Sequence, residues 1–234
     1  ITLSSGKRLL KKYSIHAQNW PRGKREFASL RYLWEKGFRN IPQPVDFYPR
    51  DNIGVYSFEE GRILKPEEVG EKEIVAISNF IARIHNLNAS EFPPASTPAL
   101  CLDDYAKDVE KRIKMLKNCV SKYNTDHNIR KFFYNGVVPL ANKLLVNFRK
   151  NYLAEELVRE FPIEQQRLNF GDFGIHNALV SNKGYIFLDF EYFGRDDPVR
   201  ELLGFVHHDK HKDIKKLWPE IIRALQKKGQ IKNS

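Results

Sequence analysis

The sequence predicts an α+β fold, a small antiparallel sheet followed by a larger and mostly helical part, and three observations carry that prediction. Up to residue 60, one helical stretch aside, the apolar residues alternate in short runs broken by Pro, Gly and Asn. Beyond Gly61 they recur at helical spacing. Inside the helical part, residues 168–198, LNFGDFGIHNALVSNKGYIFLDFEYFGRDDP, return to a pattern of loop, strand, turn and strand. The expected organisation is one lobe over residues 1–60 and a second over 61–234 that carries this hairpin.

The first fifteen residues read as the end of a strand, a Ser4-Ser5-Gly6 turn and a second strand from Lys7 to Ile15. Alternation places Leu9, Lys11 and Tyr13 on one face and Leu10 and Lys12 on the other. A lysine on the buried face needs an anionic partner. Residues 21–36 read as a helix with Phe27, Leu30, Leu33 and Trp34 on one side and Gly37 past its end. Glu26, near its start, is the first acid of the chain and suits either Lys11 or Lys12; the pattern is equally consistent with exposed lysines and a surface acid favoured by the helix dipole. Pro42 and Pro44 enforce an extended connector. Two short strands follow at 45–48 and 53–58, joined by Pro49-Arg50-Asp51-Asn52.

Residues 66–87 form a helix with Ile74, Ile77, Ile81 and Ile84 as its apolar stripe and His85 beside it as a core or boundary histidine. After a Pro- and Ser-rich loop, Asp103 or Asp104 caps a helix over 105–123, and a helical region over 128–159 is interrupted at Gly136 and Pro139. These helices are expected to shape a substrate pocket. Asp197-Pro198 is a helix start, Asp as cap and Pro at the first position, leading into 199–206. His207, His208, Asp209 and His211 lack a further ligand set at defined spacing and read as a polar turn rather than a metal site. The last helix, 214–228, is amphipathic and basic, and is expected to pack on the protein rather than on a membrane.

Composition narrows the function classes. With 234 residues, 41% hydrophobic and 29% charged, the chain is that of a soluble globular protein. It has neither an apolar run near the ~20 residues of a membrane span nor a secretory leader, so a cytoplasmic protein is expected. Cys101 and Cys119 form no C-x-x-C pair and read as free thiols. The net charge of +10 is concentrated at the ends: residues 1–25 hold seven Lys or Arg and no acid, and residues 207–234 hold eight against three acids. Neither end interleaves aromatics or shows a nucleic-acid motif, so solvated basic faces are expected and nucleic acid is not an expected partner.

The chemistry is carried by the hairpin. Counting outward from a three-residue turn, Asn182-Lys183-Gly184, sets Ser181 opposite Tyr185, Leu179 opposite Phe187 and Asn177 opposite Asp189, side chains about 5 Å apart. Asp172 lies five residues before Asn177 on the same loop. Three oxygen-bearing side chains at one sheet end suit a hard cation such as Mg²⁺ and a phosphoryl-transfer centre. Asp172 is placed to accept or orient a hydroxyl proton, with Asn177 and Asp189 as metal ligands.

The segments F-G-D-F-G-I-H-N, L-D-F-E-Y-F-G and D-D-P resemble the aminoglycoside phosphotransferase and choline kinase-like family of the protein-kinase-like fold, whose pattern runs H-G-D-x-H-x-x-N, a hairpin, I-D-F/W-E and D-P. The resemblance implies a two-lobed α+β kinase fold with a nucleotide-binding lobe over residues 1–60, and transfer of the ATP γ-phosphate to a hydroxyl with Mg²⁺. It implies Asp172 as catalytic base, Asn177 and Asp189 as metal ligands, and Asp197 as a buried acid under the loop. It further implies Lys11 as the phosphate-contacting lysine, chosen over Lys12 because apolar residues usually precede it, with Glu26 as its helix partner. Ser57-Phe58-Glu59 then forms the hinge that pairs with adenine through its backbone. Phe170 stands where the pattern has its first His, and Gly174 where it has the second, with His176 two residues later. The first strand and phosphate-covering turn are almost absent and the chain begins at Ile1, so a missing native N-terminus is expected; a catalytically impaired relative acting as a binding protein is the alternative. The acceptor implied is a sugar, sugar acid, amino alcohol or aminoglycoside, and the basic composition favours a neutral or anionic one.

Overall fold

The computed structural model describes residues 1–2, 8–13, 22–123 and 126–207. The Ser4-Ser5-Gly6 turn, His208, Asp209, His211 and the helix expected over 214–228 lie outside them. Strand β1 (Leu9–Tyr13) is followed by helix α1 (Arg22–Glu35), β2 (Pro44–Tyr48) and β3 (Ile53–Ser57), and the strands form an antiparallel sheet in the order β1-β3-β2. Helix α1 ends because Gly37 takes φ +85°, a conformation open to a residue without Cβ. Its inner face lies on the sheet, Phe27 stacking on Phe47 at 5.5 Å and meeting Tyr56 at 6.1 Å.

A two-residue strand β4 (Arg62–Ile63) leads to helix α2 (Glu71–His85). The start of α2 is fixed by its own third residue, since the Gly70 N–H donates to Glu73 Oε2 at 3.0 Å. The isoleucine stripe of α2 is buried as its spacing requires, with Phe80 at its centre. Then come α3 (Leu102–Lys122), α4 (His127–Phe132), a π-helical turn (Phe133–Val137), α5 (Val138–Lys150) and α6 (Ala154–Val158). Gly136 thus falls in a wide turn of a continuing helix, and Pro139, which has no N–H to donate, lies just after that turn, where the regular ladder is already interrupted.

Strand β5 (Arg167–Asn169) pairs antiparallel with β8 (Gly194–Asp196), closing the base of the loop and hairpin made by β6 (Ala178–Ser181) and β7 (Gly184–Phe187). Strand β4 adds to this hairpin through β6, giving the order β4-β6-β7. Helix α7 (Pro198–His207) follows, its start capped by Asp197, whose Oδ1 accepts from the Val199 N–H at 3.0 Å.

The chain forms two compact units, residues 1–98 with 163–234, and residues 99–162. The sheet expected for the nucleotide lobe and the hairpin expected for the catalytic lobe share the first unit. The second holds α3 to α6, with Tyr105, Val109, Leu140, Leu144 and Phe148 lining an apolar groove. Both cysteines are free thiols, Cys101 buried and Cys119 exposed. Among the described residues no helix is long and apolar enough to cross a membrane.

The core of the first unit is a phenylalanine cluster. Phe80 stacks on Phe187 with centroids 4.0 Å apart, and Phe38, Phe170, Phe173 and Phe190 surround it at 5.9 to 6.5 Å. Each of these rings is buried. Because Phe80 joins α2 to both the loop and the hairpin, Phe80→Ala is expected to lower unfolding free energy by about 3–5 kcal/mol, read as a lowered urea midpoint with unchanged slope.

Candidate active site

The charge centre begins with the phase of a five-residue strand. In the β1–β3 pairing Lys12 stands opposite Gly54 and Lys11 opposite Val55. Opposed residues share a face, and Gly54 is two residues from Tyr56, whose ring packs against α1. Lys12 therefore points toward α1, opposite a glycine over which the Tyr56 ring lies. Its Nζ donates to Glu26 Oε1 at 2.9 Å and to Asp189 Oδ1 at 3.0 Å. The expectation that Lys11 is the partner of Glu26 is corrected: Lys11 lies on the other face, within electrostatic reach of Tyr48.

The two ends of this pair respond differently to burial. Desolvation pushes the Lys12 ammonium down, but Glu26 and then Asp189 outweigh it and hold the group above its usual value. Desolvation of Glu26, 4% exposed, outweighs the pull of Lys12 and raises its carboxyl. Burying the charged form of Glu26 is thus a cost that Lys12 offsets only in part.

The hairpin closes one residue tighter than expected. Its loop is Asn182-Lys183, with Ser181 opposite Gly184, Val180 opposite Tyr185 and Ala178 opposite Phe187. Gly184 has φ +102°, and the Ser181 hydroxyl accepts from the Lys183 N–H at 3.1 Å while donating to the Gly184 carbonyl at 2.8 Å, so this turn is held by its own side chain. Opposite Asn177 stands Leu188, whose N–H donates to the Asn177 carbonyl at 2.8 Å. The expected Asn177–Asp189 opposition is corrected accordingly. Asp189 comes next, with φ +69°, a left-handed conformation that Asp tolerates better than most residues and that occurs preferentially where function holds it.

The loop carrying Asp172 is fastened on several sides. Asn177 Nδ2 donates to the Asp172 carbonyl at 3.1 Å, closing the loop on itself and leaving the Asn177 side-chain oxygen for another partner. Asp172 is exposed. Gly171 has φ +90°, and a Cβ there would lie 2.6 Å from the Tyr192 Cβ, so both conformation and closeness require glycine. Phe170 is fully buried, 4.3 Å from Phe190 and 5.0 Å from Phe173 by centroids, which explains an apolar ring where the family pattern has His. A Cβ on Gly174 would fall 2.3 Å from Cε1 of His176; the imidazole of His176 fills the space that a side chain at 174 would take.

Glu201 was not anticipated from the sequence. Its Oε1 accepts from the Phe170 N–H at 2.6 Å and its Oε2 meets His85 Nε2 at 2.7 Å, both side chains almost completely buried. A carboxylate of α7 thus holds the backbone two residues before Asp172 and is held by a histidine of α2. The one available signal was an acid among apolar helix neighbours, together with His85 beside the isoleucine stripe. Asp197 is half-buried and serves as cap, and its carbonyl accepts from Asn169 Nδ2 at 2.8 Å; the buried acid at this position is Asp196.

At the expected hinge, the Ser57 N–H donates to the Gln43 carbonyl at 2.9 Å and the Phe58 N–H to the Arg8 carbonyl at 3.3 Å. The Ser57 hydroxyl donates to Glu59 Oε1 at 2.5 Å. Backbone donors of Ser57 and Phe58 are thus committed to protein, and a donor to a base would come from Glu59 onward.

Among the described residues no cluster of three or more His, Cys, Asp or Glu is placed to hold a metal. Mg²⁺ takes one or two side-chain oxygens and completes its shell with water and phosphate. The free side-chain oxygen of Asn177 and the carboxylate of Asp189 are of the right chemistry.

The raised native value of Glu26 fixes the sign of one pH effect. Such a group favours the fold below its unfolded value of 4.5, and that contribution is lost as pH rises through the native value. Glu26→Gln mimics the protonated form. It is expected to melt at or above the wild-type temperature at pH 7, with the advantage shrinking toward pH 4, while turnover falls about tenfold. Melting curves across pH and a turnover assay check both halves.

No curated protein sequence matches the chain. Among solved structures it is similar to the aminoglycoside phosphotransferase APH(3'')-Id from Streptomyces rimosus in complex with ADP and streptomycin, with 15% identity, TM-score 0.62, and coverage of 99% of this chain and 83% of that one. It is similar to choline kinase from Cryptosporidium parvum, with 17% identity, TM-score 0.60, and 95% and 66% coverage. The choline kinase LicA from Streptococcus pneumoniae gives 15% identity, TM-score 0.58, and 95% and 71% coverage. These likenesses establish the protein-kinase-like α+β fold that the loop and hairpin implied. A family model described as phosphotransferase enzyme family matches residues 1–229, nearly the whole length, and the chain belongs to that family.

Proposed function

We propose that this enzyme transfers the γ-phosphate of ATP to a hydroxyl of a small-molecule acceptor, with Mg²⁺ held by Asn177 and Asp189. The observation that carries the reading is Lys12 bridging Glu26 and Asp189 at 2.9 and 3.0 Å. One ammonium and two carboxylates leave a net single negative charge at the place where a polyphosphate has to bind. A triphosphate would be repelled there unless a divalent cation accompanied it, and Asp189 and Asn177 are the residues that would hold that cation. Mg²⁺, when bound, neutralises the charge on the transferring phosphoryl group and orients it.

The chain's own residues do the rest. Lys12 contacts the phosphates, and Glu26 keeps it extended from the sheet. Asp172 accepts or orients the proton of the acceptor hydroxyl from an exposed loop whose ends are fixed by Glu201 and Asn177. The nucleotide-binding part is residues 1–60, and the base sits against the backbone beginning at Glu59. Solved relatives of this fold bound to ADP with streptomycin, or to AMP, support the nucleotide assignment. The acceptor is a hydroxylated metabolite of the sugar, sugar-acid, amino alcohol or aminoglycoside kind, and the reaction is cytoplasmic.

Asp172→Asn is expected to cut transfer by about 10²–10⁴-fold while Mg-ATP still raises the melting temperature, measured as ADP release against a panel of hydroxylated metabolites. An undiminished rate removes Asp172 from its role. Lys12→Met is expected to abolish the Mg-ATP-dependent thermal shift and Lys11→Met to preserve it; the opposite result would restore Lys11 as the phosphate lysine.

A further inference from the structure

Helix α1 reaches Asp189 only through Lys12, but it holds the segment after Asp189 directly. Arg22, its first residue, places Nη1 3.0 Å from Glu191 Oε1, and the Glu191 side chain is only 12% exposed. The same guanidinium lies over the Tyr192 ring at 5.5 Å. One turn on, Arg25 Nη1 donates to the Phe193 carbonyl at 3.3 Å. An arginine at a helix N-terminus opposes the helix dipole, so its place there answers to the contacts it makes rather than to helix stability.

Tyr192 carries that grip to the catalytic loop. The closest atoms to a Cβ built on Gly171 are the Tyr192 Cβ at 2.6 Å and its carbonyl oxygen at 2.9 Å, so the two backbones touch one residue before Asp172. Burial and then Glu191 raise the Tyr192 phenol, Arg22 opposes them, and the Asp172 carboxylate adds to the rise, which puts Asp172 within electrostatic reach of this ring.

We propose that Arg22 is a positioning residue: by clamping Glu191 and Tyr192 against Gly171 it sets Asp172 toward the acceptor, so that the helix ordering the phosphate lysine also orders the base. The inference rests on the proposed phosphotransfer. Arginine suits the task because its planar fork can pair with a carboxylate and lie on an aromatic face together, which lysine cannot do. The base is then in place only when α1 is in place.

The test uses Arg22→Gln, Arg22→Lys, Glu191→Gln and the exchange Arg22→Glu with Glu191→Arg. Arg22→Gln is expected to lower kcat about tenfold, with the KM for ATP within about twofold and the Mg-ATP thermal shift intact. Arg22→Lys should fall between it and wild type, and the exchanged pair should regain most of the loss of either single variant. Amide hydrogen exchange at residues 170–173 should quicken in Arg22→Gln more than in the rest of the catalytic unit. Unchanged kcat, a loss confined to the acceptor KM, an exchanged pair no better than its singles, or unchanged exchange at 170–173 overturns the proposal. A wild-type protein that transfers phosphate to no acceptor would overturn the functional reading instead, and hydrogen exchange would still decide the role of Arg22.

Discussion

A single ammonium group, Lys12 Nζ, ties together three segments that are far apart in sequence: strand β1, helix α1 through Glu26 and the exit of the hairpin through Asp189. The constraint behind it is that Glu26 is buried as an acid and requires a cation beside it. Gly54 makes room for the Tyr56 ring, Tyr56 and Phe27 set the face of the sheet on which α1 rests, and the phenylalanine cluster holds α2 against the hairpin that presents Asp189. Loss of any of these supports moves a charge that the others are arranged to meet.

The loop that carries Asp172 follows a different rule, fixed by backbone more than by charge. Glu201 holds the N–H of Phe170, Asn177 holds the carbonyl of Asp172, and Tyr192 abuts Gly171, so the aspartate between them projects from a segment whose main chain has little freedom. A carboxylate exposed to solvent gains precision from such a frame because its own side chain has no packing to orient it.

Much of this was legible in the sequence, and the failures have identifiable causes. The loop, the hairpin and α1 were evident because alternation, turn residues and helical spacing agreed at each. The choice between Lys11 and Lys12 was not, because a strand with leucines at both 9 and 10 is apolar in either phase, and only the acids that meet Lys12 in the fold decide. The hairpin register slipped by one because a serine side chain supports a two-residue turn where a three-residue one was expected. Strands β5 and β8, three residues each, are too short to show a period, and their pairing is a long-range contact no local pattern announces. Glu201 escaped because its partners, His85 and a backbone N–H, lie 116 and 31 residues away.

The overlap between His176 and the space above Gly174 means that a side chain at 174 and the imidazole of 176 cannot both keep their places. A side chain introduced at 174 evicts the imidazole already there, and a small residue at 176 leaves that space open to a residue at 174. The two positions are therefore coupled, and a sequence pattern that scores them one at a time misses that constraint.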